Sequence, residues 1–159
     1  MKDPEFDSIV IKRFSEVYEK AVRCELIAWR KTAVGRLGEV IVLDQFSRNI
    51  FRDTAQAFAY DSLALCLAQE AVSQGVEKEL SDKQRPFLFL PFMHSESLAI
   101  HDAALQLYTD NGSEGELKFE IKHRDIIEQF GRYPHRNEIL GRSSTPEEIE
   151  FLTRPGSSF

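Results

Sequence analysis

The chain has 159 residues, 42% of them hydrophobic and 29% charged, with a net charge of −6. That length fits one domain with a real core. The negative balance argues against nucleic acid or an anionic membrane as a partner, because both call for a basic footprint. The longest apolar run, residues 86–93, is far too short to span a bilayer. The start, MKDPEFDS, lacks the apolar run of a secretory signal. Cys24 and Cys66 are too few for a disulfide framework, and both fall in apolar helical patterns, so reduced core thiols are expected. A soluble cytoplasmic protein is the expectation.

The first predicted helix runs from Phe6 to Trp29. Phe6, Ile9, Val10, Phe14, Val17, Tyr18, Ala21 and Val22 share one face, and Lys12, Arg13, Glu16, Glu19, Lys20 and Arg23 face out. Asp3-Pro4-Glu5 is its entry, with acids at the positive helix end. The second helix spans Thr32 to Phe46, and its Val40-Ile41-Val42-Leu43 run, apolar on every side, marks it as central. Asp44 is spaced to pair with Arg48, and Gln45 with Asn49.

The third predicted helix, Thr54 to Gln74, carries six alanines that permit close approach, and Gly75 stops it. Ser81-Asp82-Lys83-Gln84 reads as a capping box before the next helix. Pro86 suits that helix's first turn and Pro91 ends or kinks it. Ser95 or Ser97 caps a helix reaching about Tyr108, and residues 110–113 form a turn.

In the following helix Phe119, His123, Ile126, Ile127 and Phe130 share a face, while Glu120, Arg124 and Glu128 form a solvated i,i+4 ladder. Gly131 ends it and Pro134 keeps the next turn non-helical. Thr145, Pro146 and Glu148 supply N-cap, N1 and capping-box partner of the last helix. No stretch alternates with period two. The fold class is therefore all-α, with antiparallel helical hairpins in a single domain over residues 1–159. Residues 1–5 and 154–159 are expected to be loosely ordered, with Phe159 tucked onto the body.

The chemistry concentrates in three helix breaks, which hold Asp44, Arg48 and Asn49, then His94 and Glu96, then His135, Arg136 and Asn137. If the breaks meet at one end of the bundle, their Arg and His side chains suit a small anion or a peptide carboxylate. The same residues serve equally well as caps and buried networks, since backbone groups at helix breaks need partners. A hydrolase-like enzyme built on His94, His135 and Arg136 is the alternative, with Glu96 or Asp44 orienting a histidine. His94 and His101 lack the i,i+4 spacing of a zinc helix, and no phosphate loop or dinucleotide glycine pattern is present. No metal or cofactor is expected. His94-Ser95-Glu96 are sequence neighbours, unlike a triad assembled across a fold.

Four blocks in order, LDQFSRNIFR, FLPFMHSESLA, HRDIIEQFGRYPHRNEILGR and STPEEIEFL, resemble the bacterial family known as domain of unknown function 924, as does the ending PGSSF. The resemblance covers nearly the whole chain. It implies a fold similar to tetratricopeptide repeats and no established activity. It also implies a further N-terminal segment rich in Trp and Phe, which this chain lacks, so that an apolar groove is less covered here. Tetratricopeptide-like arrays bind peptides in a concave groove, which makes an interaction module the favoured class.

Overall fold

The structure, a computed structural model, describes residues 3–112 and 114–158. The described residues form helices and turns and no strand. Helix α1 (Pro4–Val22) begins where the Asp3 carboxylate accepts the Phe6 N–H at 3.0 Å. It stops well short of Trp29, because Cys24 takes φ 58, a left-handed conformation that no glycine announces in the sequence. A 3₁₀ turn, Ile27–Lys31, follows. Val10, Tyr18 and Ala21 are buried as their spacing predicts, whereas Phe6 and Ile9 remain about half exposed.

Helix α2 (Ala33–Ile41) is capped by Thr32, whose hydroxyl accepts the Gly35 N–H. It passes directly into a π-helical turn, Val42–Phe46, and then α3 (Ser47–Ile50). Val40, Val42 and Leu43 are buried, so this segment is central as expected. A π turn re-aims side chains along an otherwise regular helix and recurs at functional sites. Here it carries Asp44.

The third helix starts later than its alanines suggest. A 3₁₀ turn, Ala55–Phe58, precedes α4 (Asp61–Ser73). Ala64, Ala68 and Ala71 are wholly buried along one face of α4, which lets α2 and α5 approach it closely. Helix α5 (Arg85–Met93) holds Pro86 in its first turn and tolerates Pro91 only near its end. Helices α6 (Leu98–Asn111), α7 (Glu114–Phe130) and α8 (Pro146–Leu152) complete the order, and α8 has the expected capping box. Successive helices pack on one another, α4 on α5, α5 on α6 and α6 on α7.

The larger core joins α2, α4, α5 and α6 around Leu37, Val40, Leu88, Phe89 and Tyr108. Each fully buried side chain such as Leu88 or Phe89 contributes about 1.5–3 kcal/mol. A second core seats α1 on the π turn through Tyr18, Ala21, Val42 and Leu43. A third, smaller cluster gathers Ile126, Ile127 and Tyr133 beneath Phe130 and Phe151.

Three expectations need correcting. Cys24 and Cys66 are exposed rather than core thiols, because the apolar stripes of their segments turn other residues inward. Glu120 is not part of a solvated ladder; it is fully buried and meets His101 Nδ1 at 2.6 Å. Arg124 instead links Glu128 and Asp102. Gln45 and Asn49 do not pair, since the Asn49 amide donates to Asp7 at 2.8 Å. The expectation for Phe159 lies outside the described residues.

Gly35 offers a test of the α2 entry. A Cβ there would sit 2.0 Å from the Trp29 carbonyl oxygen. Gly35→Ala should cost about 2 kcal/mol or more. That is a fall in Tm of roughly 4–8 °C for a chain of this size. An unchanged Tm in a thermal melt would mean that the 3₁₀ turn yields freely to α2.

Candidate functional site

The π turn brings Asp44 against the C-terminal end of α5, where His94 is the C-cap. Asp44 is 1% exposed. His94 Nδ1 lies 2.8 Å from Asp44 Oδ1 and 3.1 Å from Oδ2. Gln45 Nε2 donates to Oδ2 at 2.6 Å, and Arg48 Nη1 stands 3.4 Å from Oδ1. Arg48 also donates to the Asp44 backbone carbonyl. Burial alone pushes the Asp44 carboxyl up, but the charges of His94 and Arg48 and the hydrogen bonds from His94 and Gln45 outweigh it. The carboxyl is held well below the usual carboxylate range.

An ionised carboxylate only accepts hydrogen bonds, so His94 Nδ1 is the donor. In the neutral ring the lone pair then sits on Nε2.

Arg48 spends its outer face on Asp61, at 3.1 and 2.9 Å. Asp61 opens α4, and desolvation pushes its carboxyl up against the pull of Arg48. Arg136, from the 3₁₀ turn Pro134–Arg136, approaches from the other side. Its Nη1 donates to the His94 carbonyl at 3.1 Å and lies 3.7 Å from Asp61 Oδ2. The guanidinium is held between the rings of Phe58 and Tyr133, with centroids at 4.8 and 4.5 Å. It is 6% exposed, and its Nε has no hydrogen-bond partner among the described residues. Desolvation and the charge of Arg48 make its proton easier to lose, opposed by Asp61 and Glu96.

Two cavities flank this wall, and Phe58, His94 and Arg136 line both. One, of about 360 Å³, is faced by Asp61, Ser62, Leu65, Pro91, Glu96 and Leu140. The other, of about 460 Å³, is faced by Gln45, Arg48, Arg52, His123, His135 and Ile139. Desolvation lowers both His123 and His135 to about 4; the Phe119 carbonyl opposes the shift at His123, and the charge of Arg136 adds to it at His135.

Of the residues singled out from the sequence, Asp44, Arg48, His94, His135 and Arg136 therefore come together. Glu96 reaches the smaller cavity, but Arg142 holds its carboxylate at 2.6 and 2.9 Å and the Tyr133 N–H donates to it at 2.8 Å. Asn49 and Asn137 line neither cavity. Asn49 serves the Asp7–Arg52 pair, and Asn137 bonds Ser144 and the buried Glu148 carboxylate. Asp61 and Phe58 join the site because a 3₁₀ turn precedes α4 where helical spacing predicts one continuous helix. The Phe58-Ala59-Tyr60-Asp61 interruption of the alanine pattern was the available signal. Among the described residues no group of three or more His, Cys, Asp or Glu side chains is placed to hold a metal ion.

The family model described as a bacterial protein of unknown function, DUF924, matches residues 1–156. The chain belongs to the DUF924 family. A solved structure of a protein of unknown function from Agrobacterium tumefaciens is 42% identical to this DUF924 chain, with a TM-score of 0.91. The match covers 96% of this chain and 86% of that one. No curated protein matches the sequence. No helix among the described residues is long and apolar enough to cross a membrane.

Two arginines should respond oppositely to truncation. Arg48→Ala leaves two largely buried carboxylates without their shared cation and should cost about 3 kcal/mol or more. Arg136→Met removes a desolvated, incompletely paired charge and should leave the Tm level or higher, as for residues kept for function. Thermal melts of both variants beside the parent decide this; equal losses would make both arginines scaffolding.

The histidines set a pH dependence. His123 is buried neutral, with a folded pKa of about 4 against an ordinary 6.5. Below the ordinary value the unfolded chain takes up a proton that the folded chain refuses. Stability is therefore lost as pH falls from about 6.5 towards 4, most steeply where both His123 and His135 contribute. His123→Gln should flatten that slope in denaturant titrations at pH 7 and pH 5. An equal slope in the variant would remove His123 as a cause.

Proposed function

We propose that the protein binds a small organic anion, a carboxylate or phosphate, on Arg136 between the two cavities. One observation carries the reading: a guanidinium held between two rings beside both cavities, whose one hydrogen bond among the described residues goes to the His94 carbonyl. Leaving a charged group's donor unmade is costly. A fold with no use for that valence has better options, such as an apolar residue of similar shape.

The surrounding charges support the same reading. Arg48 is matched by Asp61 and Arg52 by Asp7, so their charges are largely spoken for. Arg136 shares Asp61 only at 3.7 Å. The larger cavity is also lined by His123 and His135, both held neutral by burial, so neither brings a competing charge. Cavities of about 360 and 460 Å³ suit a small molecule better than an extended peptide. We place the protein in the cytoplasm, where exposed, unpaired thiols such as Cys24 and Cys66 stay reduced.

The experiment is a thermal-shift screen of inorganic phosphate, acetate, succinate and glutarate, followed by calorimetry on any that respond. A bound anion at 100 times its Kd stabilises by about 2.7 kcal/mol. That corresponds to a rise in Tm of roughly 5–11 °C. Arg136→Lys cannot reproduce a bidentate fork and should weaken binding about tenfold or more. A shift that survives in Arg136→Met, or no shift with any of the four, would sink the proposal.

A further inference from the structure

Binding an anion calls for donors, yet the shared wall also presents an acceptor. His94 has Nδ1 on the buried Asp44 carboxylate at 2.8 Å, and no described residue hydrogen-bonds its Nε2. The ring lines both cavities and its side chain is only 17% exposed. A histidine oriented in this way by a carboxylate has its lone pair fixed in direction and available to take a proton. Asp44 is itself fixed by Gln45 and Arg48, so the ring cannot turn without breaking that set. None of this geometry is needed to hold a ligand on Arg136.

We propose that the site hydrolyses an acyl ester whose acyl half ends in a free acid group, with His94 as the general base and Arg136 holding that acid group. The proposal rests on the anion-binding reading above. The acid end lies on Arg136 in the larger cavity, beside Gln45 and His135. The alcohol half lies in the other cavity, against Leu65, Pro91 and Leu140. Phe58, His94 and Arg136 form the wall between the two, so a substrate crossing it carries its ester past His94.

In the reaction a water gives a proton to His94 Nε2 as its oxygen bonds to the ester carbonyl carbon, and the carbonyl electron pair moves onto its oxygen. The tetrahedral species collapses, the acyl C–O bond breaks, and the departing alcohol oxygen takes the proton back from Nε2. One water is consumed, and one acid and one alcohol are formed. Asp44 is a positioning residue: it keeps the proton on Nδ1 and so the lone pair on Nε2.

The test uses mono-p-nitrophenyl glutarate, with p-nitrophenyl butyrate as the probe that lacks the acid group. The parent should release p-nitrophenolate from the glutarate ester with kcat/KM roughly 100-fold or more above the butyrate ester. His94→Gln should lower kcat about 100-fold with KM little changed. Arg136→Lys should act mainly on KM. Asp44→Asn should lower kcat and shift the ring 15N resonances of His94 away from the Nδ1–H tautomer. Where Asp44→Asn does not fold, the His94→Gln and Arg136→Lys split alone decides, each variant's Tm being checked first. Glutarate binding, followed by calorimetry, separates the two readings. If glutarate binds but the ester is cleaved no faster than in buffer, or equally fast by His94→Gln, the hydrolysis proposal falls and the binding reading stands. If glutarate does not bind, the hydrolysis proposal falls, and if none of the four anions binds, the binding reading falls with it.

Discussion

A carboxylate removed from water needs a cation or a set of N–H donors, and this fold is arranged around meeting that need several times. Glu39, Asp44, Glu120 and Glu148 are all 2% exposed or less. Arg30 reaches across from the 3₁₀ turn to hold both oxygens of Glu39 at 2.7 Å, which pins that turn to α2. Arg132 does the same for Glu148 at 2.6 and 2.8 Å, and the Thr145 N–H adds a third bond, so the long turn after α7 is pinned to α8. Asp44 joins the π turn to α5. Three of these acids tie a break to a helix, and the fourth, Glu120, ties α7 to α6 through His101. Packing alone gives the helices a common core; these pairs give the breaks a fixed geometry.

The His101–Glu120 pair shows how tight the accounting is. His101 Nε2 lies 2.9 Å from the Ser95 carbonyl, which only accepts, so Nε2 carries a proton. Nδ1 meets Glu120 Oε1 at 2.6 Å, and both side chains are fully buried. One proton therefore lies between Nδ1 and Oε1, and the pair is neutral in sum whichever atom holds it. Tyr133 closes the group, donating its hydroxyl to the Met93 carbonyl and lying 3.2 Å from His101 Nε2. The backbone on both sides of His94 is thus held by a buried polar cluster. It fixes the frame in which Asp44 and His94 meet.

Local signals were legible in the sequence because local chemistry decides them. The Thr145 capping box, the left-handed Gly75 and Gly131, and the proline in the first turn of α5 all stand where residue type and spacing put them. The burial of Val40, Val42 and Leu43 follows from an apolar run with no polar side. What failed was of another kind. Nothing local announces φ 58 at Cys24, and periodicity therefore carried α1 too far. The π turn at Val42–Phe46 has the same composition as a helix. Glu120 lies on a helix face that looks solvated until α6 is laid against it. At the site, His94 meets Asp44 from 50 positions away, and Arg142 meets Glu96 from 46. A single sequence marks such groups as needing partners without saying which.

That distinction sorts the polar residues of the three breaks. Most close on one another. Arg142 also has a bare Nε, yet its two terminal nitrogens grip Glu96, and its role as a tie is complete. Asn49 supports Asp7, and Asn137 supports Glu148, so folding accounts for both. His94 and Arg136 differ. Each is oriented by the fold, the first by Asp44 and the second by two rings and the His94 carbonyl, and each lines both cavities. The imidazole Nε2 is an acceptor and the guanidinium a donor, and both residues stand on the wall shared by the two cavities. That is the pairing a reacting molecule needs, a place to anchor and a place to give up a proton.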